Sequence, residues 1–255
     1  MPVYRLSDQL LFPAPELAEP GGLLAVGGDL SPRRLLLAYS LGIFPWFSAD
    51  EPPLWWSPDP RCVIFPERIR ISRSLAKCLR QRRFRVSCDE AFAAVLDGCA
   101  ESRPGQAAGT WITAEMRQAY LRLHRLGYAH SLECWRGDEL VGGLYGVVLG
   151  RCFFGESMFH RAPDASKVAL ATLARCLAKA GWPLIDCQLP NPHLLSLGAV
   201  EIPRVEFRKW LERGGVLPGL VPAPGFPLGR SGQEDEKGVK PPTLLWPEDF
   251  SAVRE

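Results

Sequence analysis

The hydrophobic period changes in the middle of the chain, and this change constrains the fold more than any other feature of the sequence. Segments 131–135, 139–149 and 152–156 are predominantly apolar, and only short turn-forming breaks at 136–138 and 150–151 separate them. Breaks this short join neighbouring strands only in an antiparallel arrangement, because a parallel connection needs about a dozen residues or more. The sequence therefore predicts an antiparallel sheet at the centre of the protein.

Helical patterns lie on both sides of these strands along the chain. A long helix is predicted over residues 166–180, where Gly181 ends it, and a short apolar strand follows at 184–189. Ser31 and Thr113 are the expected N-caps of two upstream helices. The upstream elements are helices at 32–40, 72–82, 89–100 and 113–126 and a strand at 63–65. Together they predict an α+β protein with a mixed, largely antiparallel sheet and flanking helices.

Composition divides the chain into three parts. Residues 1–62 are rich in proline and glycine, which predicts a small irregular N-terminal domain. Residues 63–215 hold the predicted sheet and most of the helices. Residues 216–255 contain seven prolines and five glycines, which is typical of a poorly ordered tail.

Size and cysteine usage narrow the class of protein. With 255 residues, of which 47% are apolar, the chain can bury a full core without disulfides or metals. None of the eight cysteines forms a C-x-x-C pair or lies near a histidine in zinc-finger spacing, so we expect reduced structural thiols and no metal site. No apolar run approaches ~18 residues and no secretory signal pattern is present, which predicts a soluble, cytoplasmic protein with no membrane partner.

Charge is distributed unevenly along the sequence. The formal net charge is only +2, which taken alone argues against a nucleic-acid-binding protein. Between residues 67 and 85, however, a single acid accompanies eight bases, namely Arg68, Arg70, Arg73, Lys77, Arg80, Arg82, Arg83 and Arg85. This basic segment is either a solvated helix face or a surface for a phosphate backbone. The scarcity of acids for i,i+4 pairing leaves both interpretations open.

The predicted strand at 184–189 carries candidate chemistry. Cys187 lies beside Asp186 and six residues before His193, which are the residue types of a thiol catalyst. Alternation along a strand places Asp186 and Gln188 on one face and Cys187 on the other. If the carboxylate and amide face a cleft, the thiol faces the core. Asp186 and Gln188 are therefore the preferred functional pair, with a purely structural role as the alternative.

Tryptophans and one carboxylate supply further candidates. Trp46, Trp55, Trp56 and Trp111 lie in loop-like sequence, either as core plugs or as stacking platforms for a base. Glu156 follows two phenylalanines at a strand end, where a carboxylate is either a buried ligand anchor or a surface residue. Loop aromatics together with a basic segment are the usual combination for single-stranded nucleotide ends.

Many short motifs occur in an order that matches a known enzyme family. They run almost continuously from residue 12 to residue 207, and they include GLLAVGGDLSP at 22–32, GIFPWF at 42–47, WWSPDPR at 55–61, GTWIT at 109–113, LVGGLYG at 140–146, FGESMF at 154–159, IDCQ at 185–188 and SLGA at 196–199. The chain resembles the leucyl/phenylalanyl-tRNA–protein transferases of bacteria.

The resemblance implies an aminoacyltransferase. The family moves Leu or Phe, and Met less well, from aminoacyl-tRNA to the α-amino group of proteins that begin with Arg or Lys, and the product enters the N-degron route of protein degradation. It also implies a catalytic domain similar to the GNAT acyltransferase fold after a small N-terminal domain, with no cofactor. We expect a monomer whose partners are aminoacyl-tRNA and the acceptor proteins.

The resemblance also implies roles for individual residues. Trp46 matches the tryptophan that stacks on the adenosine. The pocket for the amino-acid side chain matches a region that includes Trp111, Phe153, Glu156 and Ser157. Asp186 and Gln188 match the catalytic strand: Asp186 is expected to accept or orient the amine proton, directly or through Gln188, and Gln188 to position the nucleophile.

The basic segment then becomes the candidate surface for the tRNA backbone, at Arg70, Arg73, Lys77, Arg80, Arg82 and Arg83. Two stretches depart from the family pattern: an insertion at 103–108 and a tail beyond residue 215 that is longer and richer in proline than expected.

Three other functions fit parts of the sequence. A GNAT-type acetyltransferase would use acetyl-CoA, but the pyrophosphate-binding pattern Gln/Arg-x-x-Gly-x-Gly/Ala is absent from the chain. Transfer of an aminoacyl group from tRNA to another amine, such as a peptidoglycan precursor, would use related but typically larger proteins. A non-catalytic tRNA-binding module would leave Asp186 with a structural role.

Overall fold

A computed structural model describes residues 3–101 and 111–219. Its strands are β1 (Tyr4–Leu6), β2 (Leu23–Gly27), β3 (Phe44–Pro45), β4 (Leu54–Trp56), β5 (Arg61–Ile64), β6 (Arg85–Cys88), β7 (Ala129–Arg136), β8 (Glu139–Leu149), β9 (Cys152–His160), β10 (Leu184–Gln188) and β11 (Val200–Ile202). Its α-helices are α1 (Pro32–Ser40), α2 (Arg73–Arg80), α3 (Phe92–Ala100), α4 (Ala114–Arg125), α5 (Ala165–Lys179), α6 (Pro192–Ser196) and α7 (Arg204–Arg213). The predicted mixed α+β class is confirmed.

The three central strands form the antiparallel unit that the sequence predicts. β7 pairs with β8 and β8 with β9 in consecutive antiparallel ladders. Gly137 and Gly150 lie in the two turns with φ of +59° and +53°, the left-handed region in which glycine carries no side-chain penalty. β9 extends to His160, four residues beyond the predicted end, because its second half continues to pair with β8 as far as Gly142.

The long helix α5 connects two parallel strands. β9 and β10 pair in parallel, and α5 lies between them in sequence as the crossover that such a pair requires. β10 also pairs antiparallel with β5, so the seven-stranded sheet is mixed, with the order β11-β5-β10-β9-β8-β7-β6. Gly181 follows α5 with φ of +68°, as predicted for a residue that ends a helix.

Helices cover both faces of this sheet. On one face, α2 and α5 pack through residues such as Leu75 and Leu170. On the other face, α1, α3 and α4 pack through residues such as Val95 and Tyr120. The apolar core on that second face continues into a smaller sheet of order β1-β2-β4-β3, where the ring of Trp55 is fully buried.

Two helices are shorter than the sequence predicts. The helix predicted at 89–100 begins only at Phe92, because Asp89 takes a φ of +57° after strand β6. The helix predicted at 72–82 ends at Arg80, and Arg82 has a φ of +47°. A positive φ in a non-glycine residue is incompatible with continuing a right-handed helix.

The described residues also bear on the predictions about cysteines and membrane-spanning helices. None of the eight cysteines, all within the described residues, forms a disulfide. Across residues 3–101 and 111–219, no helix is both long and apolar enough to cross a membrane. The insertion at 103–108 and the tail beyond residue 219 lie outside the described residues.

Candidate active site

Two adjoining cavities open at the carboxyl end of β10. The larger measures about 490 Å³ and the smaller about 130 Å³. Both are lined by Glu156, Cys187 and Gln188, so these three residues form the junction between them. The junction lies where β10 ends beside the middle of β9, just beyond the last parallel pair of these two strands, Asp186 and Phe154.

The larger cavity has an apolar part and a polar part. Its apolar lining includes Leu144, Phe153, Met158, Leu170 and Ile185. Its polar lining includes Ser157, His160, Ser166, Asn191 and His193. A cavity of this size and mixed character suits a medium-sized apolar side chain attached to a polar group.

The smaller cavity has aromatic walls. Trp46 and Trp111 line it together with Phe44, and the Trp46 side chain is 43% exposed. The indole N–H of Trp56 donates to the Trp46 carbonyl at 2.7 Å, and the two indole rings lie 5.7 Å apart between centroids. The exposed Trp46 ring is thus held on a supported loop, where a flat ligand ring can stack on it. Trp55, by contrast, is a core residue whose N–H donates to the Gly27 carbonyl at 2.8 Å.

Glu156 at the junction is held by a chain of hydroxyl groups. The Tyr120 hydroxyl donates to Glu156 Oε2 at 2.5 Å, and the hydroxyls of Tyr39 and Tyr120 are 2.7 Å apart. The side-chain amide of Gln188 donates to Glu156 Oε1 at 3.5 Å. Burial raises the pKa of Glu156 to about 7, because its two phenol hydrogen bonds only partly offset the loss of water.

Asp186 lies behind the junction in an ion pair. Both Asp186 and Arg61 are fully buried, and Arg61 donates to the two carboxylate oxygens at 2.8 and 2.7 Å. The backbone N–H of Gln188 donates to Asp186 Oδ1 at 3.0 Å. Asp186 lines neither cavity; its contacts instead fix the backbone of Gln188, which has a φ of +56°.

The partner of Asp186 connects the two sheets. Arg61 Nη1 donates to the Gly42 carbonyl at 3.0 Å, and its guanidinium carbon lies 4.8 Å and 4.7 Å from the ring centroids of Phe44 and Phe207. Arg61 therefore joins the N-terminal segment to β10 through hydrogen bonds and cation–π contacts. The sequence gives little sign of this role, because Arg61 begins an apolar strand.

The expected alternation along β10 is wrong at its end. The pairing of β10 with β5 shifts register between Asp186 and Gln188, so Cys187 is the extra residue of a bulge. Cys187 consequently lines both cavities beside Gln188 rather than facing only the core. A hydrogen bond with Cys62, together with burial, raises the pKa of the Cys187 thiol well above its usual value, which keeps it protonated and a poor nucleophile.

The basic segment is exposed and adjoins the larger cavity. All six residues predicted for backbone contact are exposed, and Arg73, Lys77 and Arg80 lie on one side of α2. Among the described residues no carboxylate forms an ion pair with any of the six, whereas Arg85 pairs with Glu90. The backbone N–H of Arg70 donates to the Leu197 carbonyl at 2.9 Å, directly after α6, and α6 lines the larger cavity.

The structure brings most of the predicted site residues to one place. Those that line the two cavities are Trp46, Trp111, Phe153, Glu156, Ser157 and Gln188. Trp111 lies with Trp46 in the smaller cavity, not with Phe153 in the larger one. Sequence reasoning missed Tyr39 and Tyr120, which occupy apolar faces of helices and have no local signal of function. Within the described residues, no three His, Cys, Asp or Glu side chains come together as metal ligands.

Comparisons with known proteins identify the family. The sequence model described as leucyl/phenylalanyl-tRNA protein transferase matches residues 63–212, and the model of its N-terminal domain matches residues 28–59. A leucyl/phenylalanyl-tRNA–protein transferase of Syntrophotalea carbinolica is 60% identical over 89% of this chain and 99% of its own length. That of Azoarcus sp. (strain BH72) is 62% identical over 82% of this chain and 89% of its own length.

Among solved structures, a functionally unknown conserved protein from Staphylococcus epidermidis ATCC 12228 overlaps with a TM-score of 0.39 at 10% identity, over 71% of this chain and 68% of that one.

The family models cover most of the described residues, and the relatives share more than half of their residues with this chain. The chain therefore belongs to the leucyl/phenylalanyl-tRNA protein transferase family.

Proposed function

We propose that this protein transfers Leu or Phe, and Met less well, from aminoacyl-tRNA to the α-amino group of proteins that begin with Arg or Lys. Its family makes it an aminoacyltransferase that takes the aminoacyl group from tRNA and passes it to a protein. The observation that carries the finer assignment is the junction at Glu156 and Gln188, where an aromatic slot meets an apolar cavity. The modified proteins would then enter N-degron proteolysis.

The two cavities match the two ends of an aminoacyl-adenosine. We assign the terminal adenine to the smaller cavity, stacked on Trp46, and the amino-acid side chain to the apolar part of the larger cavity beside Phe153. Ser157 lines the same cavity, and Trp111 would contact the adenosine end because it lines the smaller cavity together with Trp46. The ester carbonyl would then lie at the junction, next to Gln188.

The basic segment would contact the tRNA backbone. Its exposed cations have no acidic partners among the described residues, and at Arg70 the segment contacts Leu197, the residue after α6, and α6 lines the larger cavity. Cations placed in this way attract phosphates and release condensed counterions on binding. A tRNA whose terminal nucleotide enters the smaller cavity would extend its acceptor stem over this surface.

Gln188 and Asp186 would act together on the acceptor amine. Gln188 faces the junction and can orient the amine, whereas Asp186 is enclosed by Arg61 and the Gln188 backbone. This geometry favours the orienting alternative for Asp186: it positions Gln188 instead of exchanging a proton with substrate. The aminoacyl ester is already activated, so the reaction requires neither ATP nor a metal ion.

We also propose a fold family for the catalytic domain, an oligomeric state and a cellular compartment. The crossover from β9 through α5 to the parallel strand β10, within a mixed sheet, supports a GNAT-like catalytic domain spanning 63–215 after an N-terminal domain of 1–62. A monomer acting in the cytoplasm, where charged tRNA is available, is the simplest form of this enzyme.

A transfer assay tests the function directly. Purified protein is mixed with tRNA carrying labelled Phe and with a peptide that begins with Arg, and we expect label on the peptide N-terminus. A matched peptide with an acetylated N-terminus should stay unlabelled. Label on a peptidoglycan precursor but not on the peptide, or tRNA binding without transfer, would contradict the proposal.

A further inference from the structure

Glu156 is a carboxylate that faces the junction. Among the described residues that line either cavity, no other carries a carboxyl group. The buried guanidinium of Arg61 forms no hydrogen bond with Glu156, because both of its terminal nitrogens and Nε are engaged with Asp186 and the Gly42 carbonyl. A carboxylate in such a place is costly to keep ionised, and groups perturbed in this way cluster at functional sites.

We propose that Glu156 is the general base of the transfer and accepts the proton that the acceptor's α-ammonium must lose before it attacks the ester. This inference rests on the proposed function and adds a role for Glu156 beyond contact with the aminoacyl group. It also leaves Asp186 as a positioning residue.

The two oxygens of Glu156 are not equivalent. Tyr120 donates its single hydroxyl proton to Oε2, and the Tyr39 hydroxyl lies 2.7 Å from that of Tyr120. This chain of hydroxyls locks Oε2. Oε1 faces Gln188 across 3.5 Å and the open junction, so it remains available to an incoming amine.

The surroundings set the proton affinity of Glu156 close to that of the amine. Burial and the negative charge of Asp186 raise the pKa, and the phenols of Tyr120 and Tyr39 and the charge of Arg61 lower it, with a result of about 7. An unperturbed α-amino group has a pKa of about 7.7–8.0, so proton transfer between the two groups is nearly balanced. The other titratable groups nearby are the Tyr145 phenol on β8, the Cys187 thiol, and His160 and His193 on the cavity wall.

Other candidate bases fit less well. Asp186 already accepts three hydrogen bonds and does not reach either cavity. The pKa of the Cys187 thiol is raised well above its usual value, so the thiolate needed to accept a proton is scarce.

The proton balance of the step is complete. The α-ammonium gives one proton to Glu156, and the neutral nitrogen attacks the ester carbonyl to form the C–N bond. The nitrogen's surplus proton passes to the ribose oxygen as the C–O bond breaks. Glu156 then releases its proton to water, so that one amide, one free ribose hydroxyl and one proton are formed.

The test is a single-turnover pH profile between about pH 5.5 and 8.5, with saturating Phe-tRNA and an Arg peptide. For the wild-type protein we expect the rate to rise with an inflection near 7. In Glu156→Gln we expect a loss of about 100-fold or more at pH 7, with the remaining rise shifted to the amine's own pKa, about 7.7–8.0.

Glu133→Gln is the matched control. Glu133 is also a buried carboxyl with a raised pKa, held by the hydroxyls of Ser87 and Ser131 at 2.5 Å each, but it lines neither cavity. We expect its profile to match that of the wild type. An inflection near 7 that persists in Glu156→Gln would overturn the proposal.

A second aminoacyl donor distinguishes two roles of Glu156: general base of the transfer, or binding partner of the α-amino group on the aminoacyl-tRNA itself. The tRNA is charged with the α-hydroxy analogue of Phe, which has no amine for Glu156 to bind. If Glu156 is the general base, Glu156→Gln should slow transfer from this donor as well. If the variant and the wild type transferred the analogue at the same rate, Glu156 would not be the general base. If the wild-type protein transferred neither donor, the proposed function itself would fail, which is a different result.

Discussion

The buried pair of Arg61 and Asp186 offers a quantitative test of how the site is held. Replacing Arg61 by Met keeps an apolar stem between the rings of Phe44 and Phe207 but removes both charged hydrogen bonds to Asp186. The carboxylate is then left fully buried with only the Gln188 backbone N–H as a donor. Arg61→Met should therefore lower the free energy of unfolding substantially.

The expected magnitude follows from the burial of both partners. Breaking a fully buried ion pair by removing one partner costs about 3–5 kcal/mol, because an unpaired charge remains in the interior. Removing the second charge as well, in Arg61→Met/Asp186→Leu, should restore stability to within about 1–2 kcal/mol of the wild type. The interaction free energy between the two substitutions is then of the same order as the loss of stability caused by Arg61→Met alone.

Urea unfolding of the wild type, both single variants and the double variant at pH 7 measures this cycle. A loss below about 1 kcal/mol for Arg61→Met, or losses that simply add in the double variant, would refute the reasoning. Transfer assays of Asp186→Asn add a functional readout. If Asp186 is a positioning residue, Asp186→Asn should slow transfer without changing the inflection of the pH profile. If Asp186 were the general base, the inflection should disappear in this variant.

Four further predictions concern the junction and the surfaces around it. Tyr120→Phe removes the hydroxyl that stabilises ionised Glu156, so the inflection of the transfer profile should move up by about one pH unit, and an unmoved inflection would contradict the hydroxyl chain. Glu156 binds its proton more tightly in the folded than in the unfolded chain, so stability should fall as pH rises from about 4.5 to 7. Glu156→Gln should then be more stable than the wild type in urea at pH 8, by up to about 3 kcal/mol, with little difference at pH 4. Trp46→Ala should weaken binding of aminoacyl-tRNA by roughly 5- to 150-fold through lost stacking, and unchanged affinity would place the adenine elsewhere. Replacing three cations of α2 by Ala should reduce the slope of log affinity against log salt by about 2–3, and an unchanged slope would remove this surface from the interface; the three are Arg73, Lys77 and Arg80.

Local signals in the sequence predicted the elements that depend on local physics. The helix α1 begins and ends at the predicted residues because Ser31 accepts a hydrogen bond from the Arg34 N–H and Pro32 occupies the first helical position. Strand β8 matches its predicted bounds because glycine-containing turns flank a continuous apolar run. Each of these signals lies within about ten residues of the element that it predicts, so no distant partner is needed to recognise it.

Elements that depend on distant partners were not predictable in the same way. The strands β1 to β4 have two to five residues each, too few for a periodic pattern, and they exist because they pair with one another. The bulge at Cys187 arises from the register between β10 and β5, strands separated by more than 100 residues. Alternation alone could not reveal it, and the predicted orientation of Cys187 failed for that reason.

The roles of the Asp186 and Glu156 carboxylates also depend on what the tertiary structure places around them. Asp186 meets a guanidinium that is itself held by two aromatic rings and a carbonyl, so its negative charge is balanced and its position is rigid. Glu156 meets two phenols and an amide, which donate hydrogen bonds but carry no compensating charge. Two acids whose surroundings differ in this way are suited to different tasks in one site, the balanced one to holding geometry and the unbalanced one to exchanging a proton. The resemblance of this chain to its family implies a catalytic role for the strand that carries Asp186. The electrostatics of the fold instead favour Glu156, on the neighbouring strand, as the group that accepts the proton.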